Sequence, residues 1–182
     1  MPTATRHEFL DMRVTDVRRV RDSARDHIVL LAESDGAHRL PIWIGRDEAR
    51  PIALRLLEVG ALSRPLTHDL AVSMVTALGG SLREVRIDQL ADQTFYAVVV
   101  LDGPTGSAEV DARPSDALTL ALATGAPIRV NRGMVEAVEA SGFVLSSLAA
   151  MGSQDEAGPQ AILLEHRPHP GKPHDPSSPA LE

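Results

Sequence analysis

The sequence predicts an α+β fold, a mostly antiparallel sheet with about four helices packed on it. Two observations carry that expectation. Apolar residues recur at every second position in several segments between residues 8 and 112, the period of a half-buried strand. Helical spacing appears in only four places, and these follow groups of strands rather than alternating with them one for one.

Residues 8–20, EFLDMRVTDVRRV, set Phe9, Met12, Val14, Val17 and Val20 in an imperfect alternation, that of a strand with one bulge. DHIVLLAES gives a second strand, SDGAHR a tight Asp-Gly turn and LPIWIG a third strand, together an antiparallel meander. RDEARPIALRLLEVG carries Ala49, Ile52, Ala53, Leu56, Leu57 and Val59 at helical spacing and ends at Gly60. Pro51 would remove a hydrogen bond from a helix interior, so the helix is expected to begin near Arg50. In LTHDLAVSMVTALGG, Thr67 is the expected N-cap and Gly79-Gly80 the stop.

SLREVRIDQL and TFYAVVVL are strands, and the near-continuous apolarity of the second places it at the centre of its sheet. DGPTG is a hairpin turn and SAEVDA the returning strand. The next helix has Ser115 as its expected N-cap, runs through Leu122 and stops at Gly125. APIRV is a short strand, and NRGMVEAVEASG a helix capped by Asn131. From about Gly152 the pattern dissolves around a brief apolar AILLEH, and six of the thirteen prolines fall between Pro159 and Pro179. The expected division is therefore a folded domain over 1–150 and a Pro-rich, flexible tail over 151–182.

Composition narrows the function classes. Cysteine is absent, which removes disulfides, thiolate metal sites and Cys nucleophiles. There is no run of some 18 apolar residues and no apolar leader at the N-terminus, so a cytoplasmic protein with no membrane span is expected. The net charge of −7 argues against wholesale binding to phosphate backbones, although 17 of the 18 basic residues are Arg, the type suited to bidentate phosphate contacts. GxGxxG, Walker, GxSxG, HExxH and EF-hand patterns are missing.

The chemistry-bearing stretch is DARPSDAL. Glu109 and Asp111 share one face of a strand, and Asp116 follows in the first turn of a helix, with Arg113 between them. Two readings stand. In one, Pro114, Ser115 and Asp116 are the ordinary hardware of a helix start; in the other, the carboxylates gather a hard cation while Arg113 holds a phosphate. RPLTHDL repeats the theme with Arg64, His68 and Asp69, so a sheet that joined the two Arg-Pro corners would bring these groups together. His68 is the histidine best placed for proton transfer. Asp47 suits a helix first turn, and Glu48 either such a turn or a cleft shared with Trp43.

LPIWIGRDEARPIAL, RPLTHDL, TFYAVVVL and EVDARPSDALTLALATGAPI occur in this order and spacing in the bifunctional nuclease family, which residues 7–142 resemble. The resemblance implies an α+β domain, often self-associated as a dimer or trimer, with nuclease activity on DNA and RNA. Its recurrent polar positions fall on Glu48, Arg64, His68, Asp69, Asp111, Arg113, Ser115 and Asp116. The expectation is a nuclease assisted by Mg or Mn, with little sequence specificity. Asp111, Asp116, His68 and Asp69 are its catalytic candidates, Arg64, Arg113 and Ser115 bind nucleic acid, and Asp111, Asp116 and Glu48 hold metal. The alternative is a non-catalytic oligomeric binding or regulatory module.

Overall fold

The computed structural model describes residues 8–20, 27–59, 64–151 and 158–165. In chain order the elements are β1 (Phe9–Arg19), β2 (His27–Glu33), β3 (Arg39–Ile44), α1 (Arg46–Leu56), α2 (Thr67–Ala77), β4 (Ser81–Ala91), β5 (Thr94–Gly103), β6 (Gly106–Ala112), α3 (Pro114–Thr124), β7 (Ile128–Asn131), α4 (Arg132–Ala140), α5 (Phe143–Ala150) and α6 (Pro159–Glu165). One seven-stranded sheet runs in the order β3-β2-β1-β7-β4-β5-β6. Every pairing is antiparallel except β4 with β7. The α+β class and the meander stand, and the expected bulge in β1 falls between Val14 and Asp16.

β5 is an inner strand, as its apolarity predicted, paired with β4 and β6, while the middle strand of the seven is the four-residue β7. The two faces of β5 are buried for different reasons. Val99 joins the main core, whereas Val98 and Val100 stand in register beside Arg86, Asp111, Glu84 and Glu109. On that face charges alternate across strands: Asp11 with Arg129 at 3.7 Å, Arg129 with Glu84 at 3.0 Å, Glu84 with Arg86 at 3.6 Å, and Arg86 with Glu109. The stems of such long side chains cover apolar strand residues while their heads stay wet.

The main core lies on the other face. α1 packs on α3 and α6, and α2 packs on α3. Ala49 and Ala53 of α1 and Ala117 and Ala121 of α3 are all buried, each pair one turn apart. Small residues at that spacing let helices approach closely. β2 is covered on both sides: Val29 and Leu31 join the main core, while Ile28 meets Val20 and Met151 in a smaller cluster.

Several expected boundaries move. α1 begins at Arg46, not Arg50, because Gly45 serves as N-cap and its amide donates to the Glu48 carboxylate at 2.6 Å. Pro51 therefore lies inside the helix. α1 also ends before Gly60, which lies outside the described residues. Glu58 takes the left-handed position (φ 47°) and its amide donates to the Arg55 carbonyl, while the Val59 amide reaches back to Leu54. The N-cap of α2 is Leu66 rather than Thr67, and that of α3 is Arg113 rather than Ser115, with Pro114 in the first helical position. Gly79, Gly125 and Asn131 act as expected. α5 and α6 were not foreseen, and Ile162 of α6 is fully buried in the main core, beyond the expected limit at residue 150. No single helix among the described residues is long and apolar enough to cross a membrane.

Candidate functional site

Three helix N-termini converge because α3 packs between α1 and α2. Each helix carries a carboxylate at its third position: Glu48, Asp69 and Asp116. An acid there faces the free amides and the positive end of the helix dipole. Two of the three fold back on their own caps, Glu48 onto the Gly45 amide and Asp69 onto the Leu66 amide at 2.9 Å. Asp116 does otherwise. One of its oxygens accepts from Arg113 Nε at 2.7 Å, and the other lies 3.0 Å from His68 Nε2.

The side chains enclose a pocket of about 410 Å³, lined by Glu48, His68, Arg113, Ser115, Asp116 and Thr119 together with Gly45 to Asp47 and Pro51. Arg113 forks across its mouth, pairing with Asp116 through Nε and with Glu48 through Nη1. The His68 side chain is 19% exposed and Arg113 64%. Partial burial pushes the Asp116 carboxyl upward, but hydrogen bonds from Arg113 and His68, and their charges, outweigh it and hold the group below the ordinary aspartate value. Arg113 is raised in turn, first by the hydrogen bond to Asp116. The pocket thus offers a cation beside an imidazole whose ring is fixed by a carboxylate, an arrangement able to hold an anionic ester and move a proton at it.

A profile of the bifunctional nuclease domain matches residues 29–142. The chain belongs to this family. An uncharacterized protein of Mycobacterium tuberculosis is 43% identical over 125 residues, 69% of this chain and 73% of its own. Bifunctional nuclease 1 of Oryza sativa subsp. indica is 31% identical over 120 residues, and Bifunctional nuclease 2 of Oryza sativa subsp. japonica 25%. The chain spans 36% and 37% of those two rice proteins.

In this bifunctional nuclease domain the two Arg-Pro corners do meet, through His68 and Asp116. Glu48, Arg113 and Ser115 join them in the pocket. Three expected members do not. Asp69 turns to Arg55 and to its own cap, Arg64 is exposed and outside the pocket lining, and Asp111 stands exposed in an adjoining, larger cleft. Asp111 fails to arrive because it is the penultimate residue of β6 and pairs with Val98, on the face opposite the main core. Thr119, which sequence reasoning passed over, lines the pocket one turn beyond Ser115 and donates to the Ser115 carbonyl at 2.7 Å. Its signal was the i, i+4 spacing from a residue already singled out.

The proposed metal set of Asp111, Asp116 and Glu48 does not gather. Among the described residues no three His, Asp or Glu groups are placed to hold an ion. Arg113 already lies between Glu48 and Asp116, and Mg or Mn would meet those oxygens only with the guanidinium turned away.

Proposed function

We propose that this domain hydrolyses phosphodiester bonds in DNA and RNA, with His68 and Asp116 as the proton-transfer pair and Arg113 as the phosphate contact. The observation that carries this reading is the 3.0 Å contact between His68 Nε2 and Asp116 Oδ1 inside a pocket that Arg113 also lines. A carboxylate can only accept, so Nε2 carries the proton and Nδ1 is left as a base. With a phosphodiester on Arg113, Nδ1 takes a proton from the attacking water as its oxygen bonds to phosphorus. The ester P–O bond breaks, and the proton passes to the leaving alkoxide. Contacts to phosphate carry no sequence information, which agrees with little sequence preference. The family and the names of its rice members support the same chemistry.

The test is cleavage of labelled DNA and RNA strands by the purified chain and by His68→Gln and Asp116→Asn, each assayed with Mg²⁺, Mn²⁺ or EDTA. The expected result is a loss of roughly 100-fold or more in each variant, the usual worth of a positioned acid–base group. Equal cleavage by all three proteins would mean a contaminating enzyme and sink the reading. Cleavage that EDTA abolishes and Mn²⁺ restores would assign the reaction a metal that the observed donor arrangement does not present.

One observation favours the second reading, an oligomeric binding module. α2 buries no residue, and Leu70, Met74 and Leu78 form a stripe along it with exposures of 53%, 59% and 80%. Residues four apart share a helix face, and an uncovered apolar face is the mark of an interface. A dimer or trimer through this stripe would break on Leu78→Glu, read by light scattering, without loss of His68 or Asp116.

A further inference from the structure

Beside the pocket lies a cleft of about 1320 Å³. The two share Gly45, Glu48, Arg113 and Ser115, so Arg113 stands at the boundary between them. The chain is poor in aromatics, with three Phe, one Tyr and one Trp. Yet four of these five, Trp43, Phe95, Tyr96 and Phe143, line this one cleft. Phe95 is built into the core, but Tyr96 is 42% exposed and Leu90, the cross-strand partner of Phe95, 40%. Trp43 is held in place by a hydrogen bond from Nε1 to Ser147 Oγ at 3.2 Å.

The charges say how an occupant must enter. The ionised groups along the cleft are Glu48, Asp88, Asp111 and Arg113, three acids against one cation that stands at the pocket end. A phosphate backbone laid along these walls would be repelled, while one phosphate at Arg113 would be attracted. What suits the rest is a flat, neutral ring that stacks on aromatic faces. Asp111 is exposed, and among the described residues its carboxylate has no hydrogen-bond or ion-pair partner, its pairing with Val98 being through the backbone. A carboxylate only accepts, so it complements the N–H groups on a base edge.

We infer that the cleft takes an unpaired nucleobase of the strand whose phosphodiester sits on Arg113, which makes single-stranded nucleic acid the preferred substrate. This rests on the nuclease reading of the pocket. A duplex keeps its bases paired and stacked and must expel one before the cleft can take it, at a cost a single strand avoids.

The experiment compares a labelled single strand, its duplex, and an abasic tetrahydrofuran strand of equal length, with wild type, Tyr96→Ala and Tyr96→Phe. Expected are cleavage of the single strand at least about tenfold faster than the duplex and a roughly tenfold loss in Tyr96→Ala on the single strand only, with Tyr96→Phe close to wild type, since stacking survives in Phe. Duplex and single strand cut alike, or a Tyr96→Ala loss equally large on the abasic strand, would overturn the cleft assignment and leave the pocket chemistry standing. Should wild type cut nothing, the pocket reading fails, and the cleft is judged by binding instead. Trp43 is the sole tryptophan, so quenching of its fluorescence by the base-bearing strand and not by the abasic one supports the cleft; no quenching overturns it.

Discussion

At the scale of the residue, the same device has two outcomes in this chain. Glu48 and Asp69 are acids at the third position of a helix that close onto their own N-cap amides. Asp116 holds the equivalent position on α3 and spends its oxygens on Arg113 and His68. Sequence reasoning could place all three acids in first turns. It could not say which would stay at home, because that depends on which side chains neighbouring helices bring within reach. Asp111 shows the reverse limit: strand alternation located it on a face, and only the fold says that this face looks away from His68. The lowered Asp116 carboxyl has a consequence for acid stability. A group whose folded value lies below its unfolded value of about 3.9 adds stability that is complete above that value and lost as pH falls through the folded one. Asp116→Asn should therefore lower the melting temperature near pH 6 and converge on wild type toward pH 2. Parallel curves over that range would remove Asp116 from the acid response.

At the scale of the element, the ends of helices were the least legible part. Gly60 looked like the stop of α1, but Glu58 closes the helix in the left-handed conformation. A side chain there costs about 1 kcal/mol relative to glycine. Glu58→Gly should raise unfolding stability by about that amount, read as a higher urea midpoint at unchanged slope. A drop would show that the Glu58 side chain is held by something stronger than its backbone strain. Pro51 misled in the opposite direction. It argued for a late start, yet the Gly45–Glu48 contact and burial of Ala49 and Ile52 fix the helix four residues earlier. Where a glycine meets a close neighbour the signal was reliable. A Cβ on Gly80 would lie 3.0 Å from the Asp102 carbonyl oxygen and 3.1 Å from Val75 Cγ1, so α2 ends tightly against β5 and a larger residue there must push one of them aside.

At the scale of the molecule, class and strand identity could be read from alternation, but strand order could not. Nothing in APIRV says that it separates β1 from β4, since a short apolar strand pairs equally well anywhere in a sheet. Composition also concealed α6, whose neighbours are rich in proline. Ile162 is the residue that ties it in. Ile162→Ala should cost about 2–5 kcal/mol, the range for emptying a fully buried aliphatic site, with α6 still part of the cooperative unit. A loss below about 0.5 kcal/mol would mean that α6 is not needed by the domain.

β7 also sets a schedule. Among the described strands it alone joins the β3-β2-β1 group to the β4-β5-β6 group within the sheet, pairing Phe9–Met12 on one side and Val85–Ile87 on the other. While the chain is being made, the start of β1 must therefore wait for a partner until Asn131 has left the ribosome. At about 5–20 residues per second that wait is on the order of ten seconds. Throughout it the nascent chain carries an open strand edge, joined toward the end by a second, still unattached half-sheet, and chaperone demand should peak late in that interval and end when these four residues emerge.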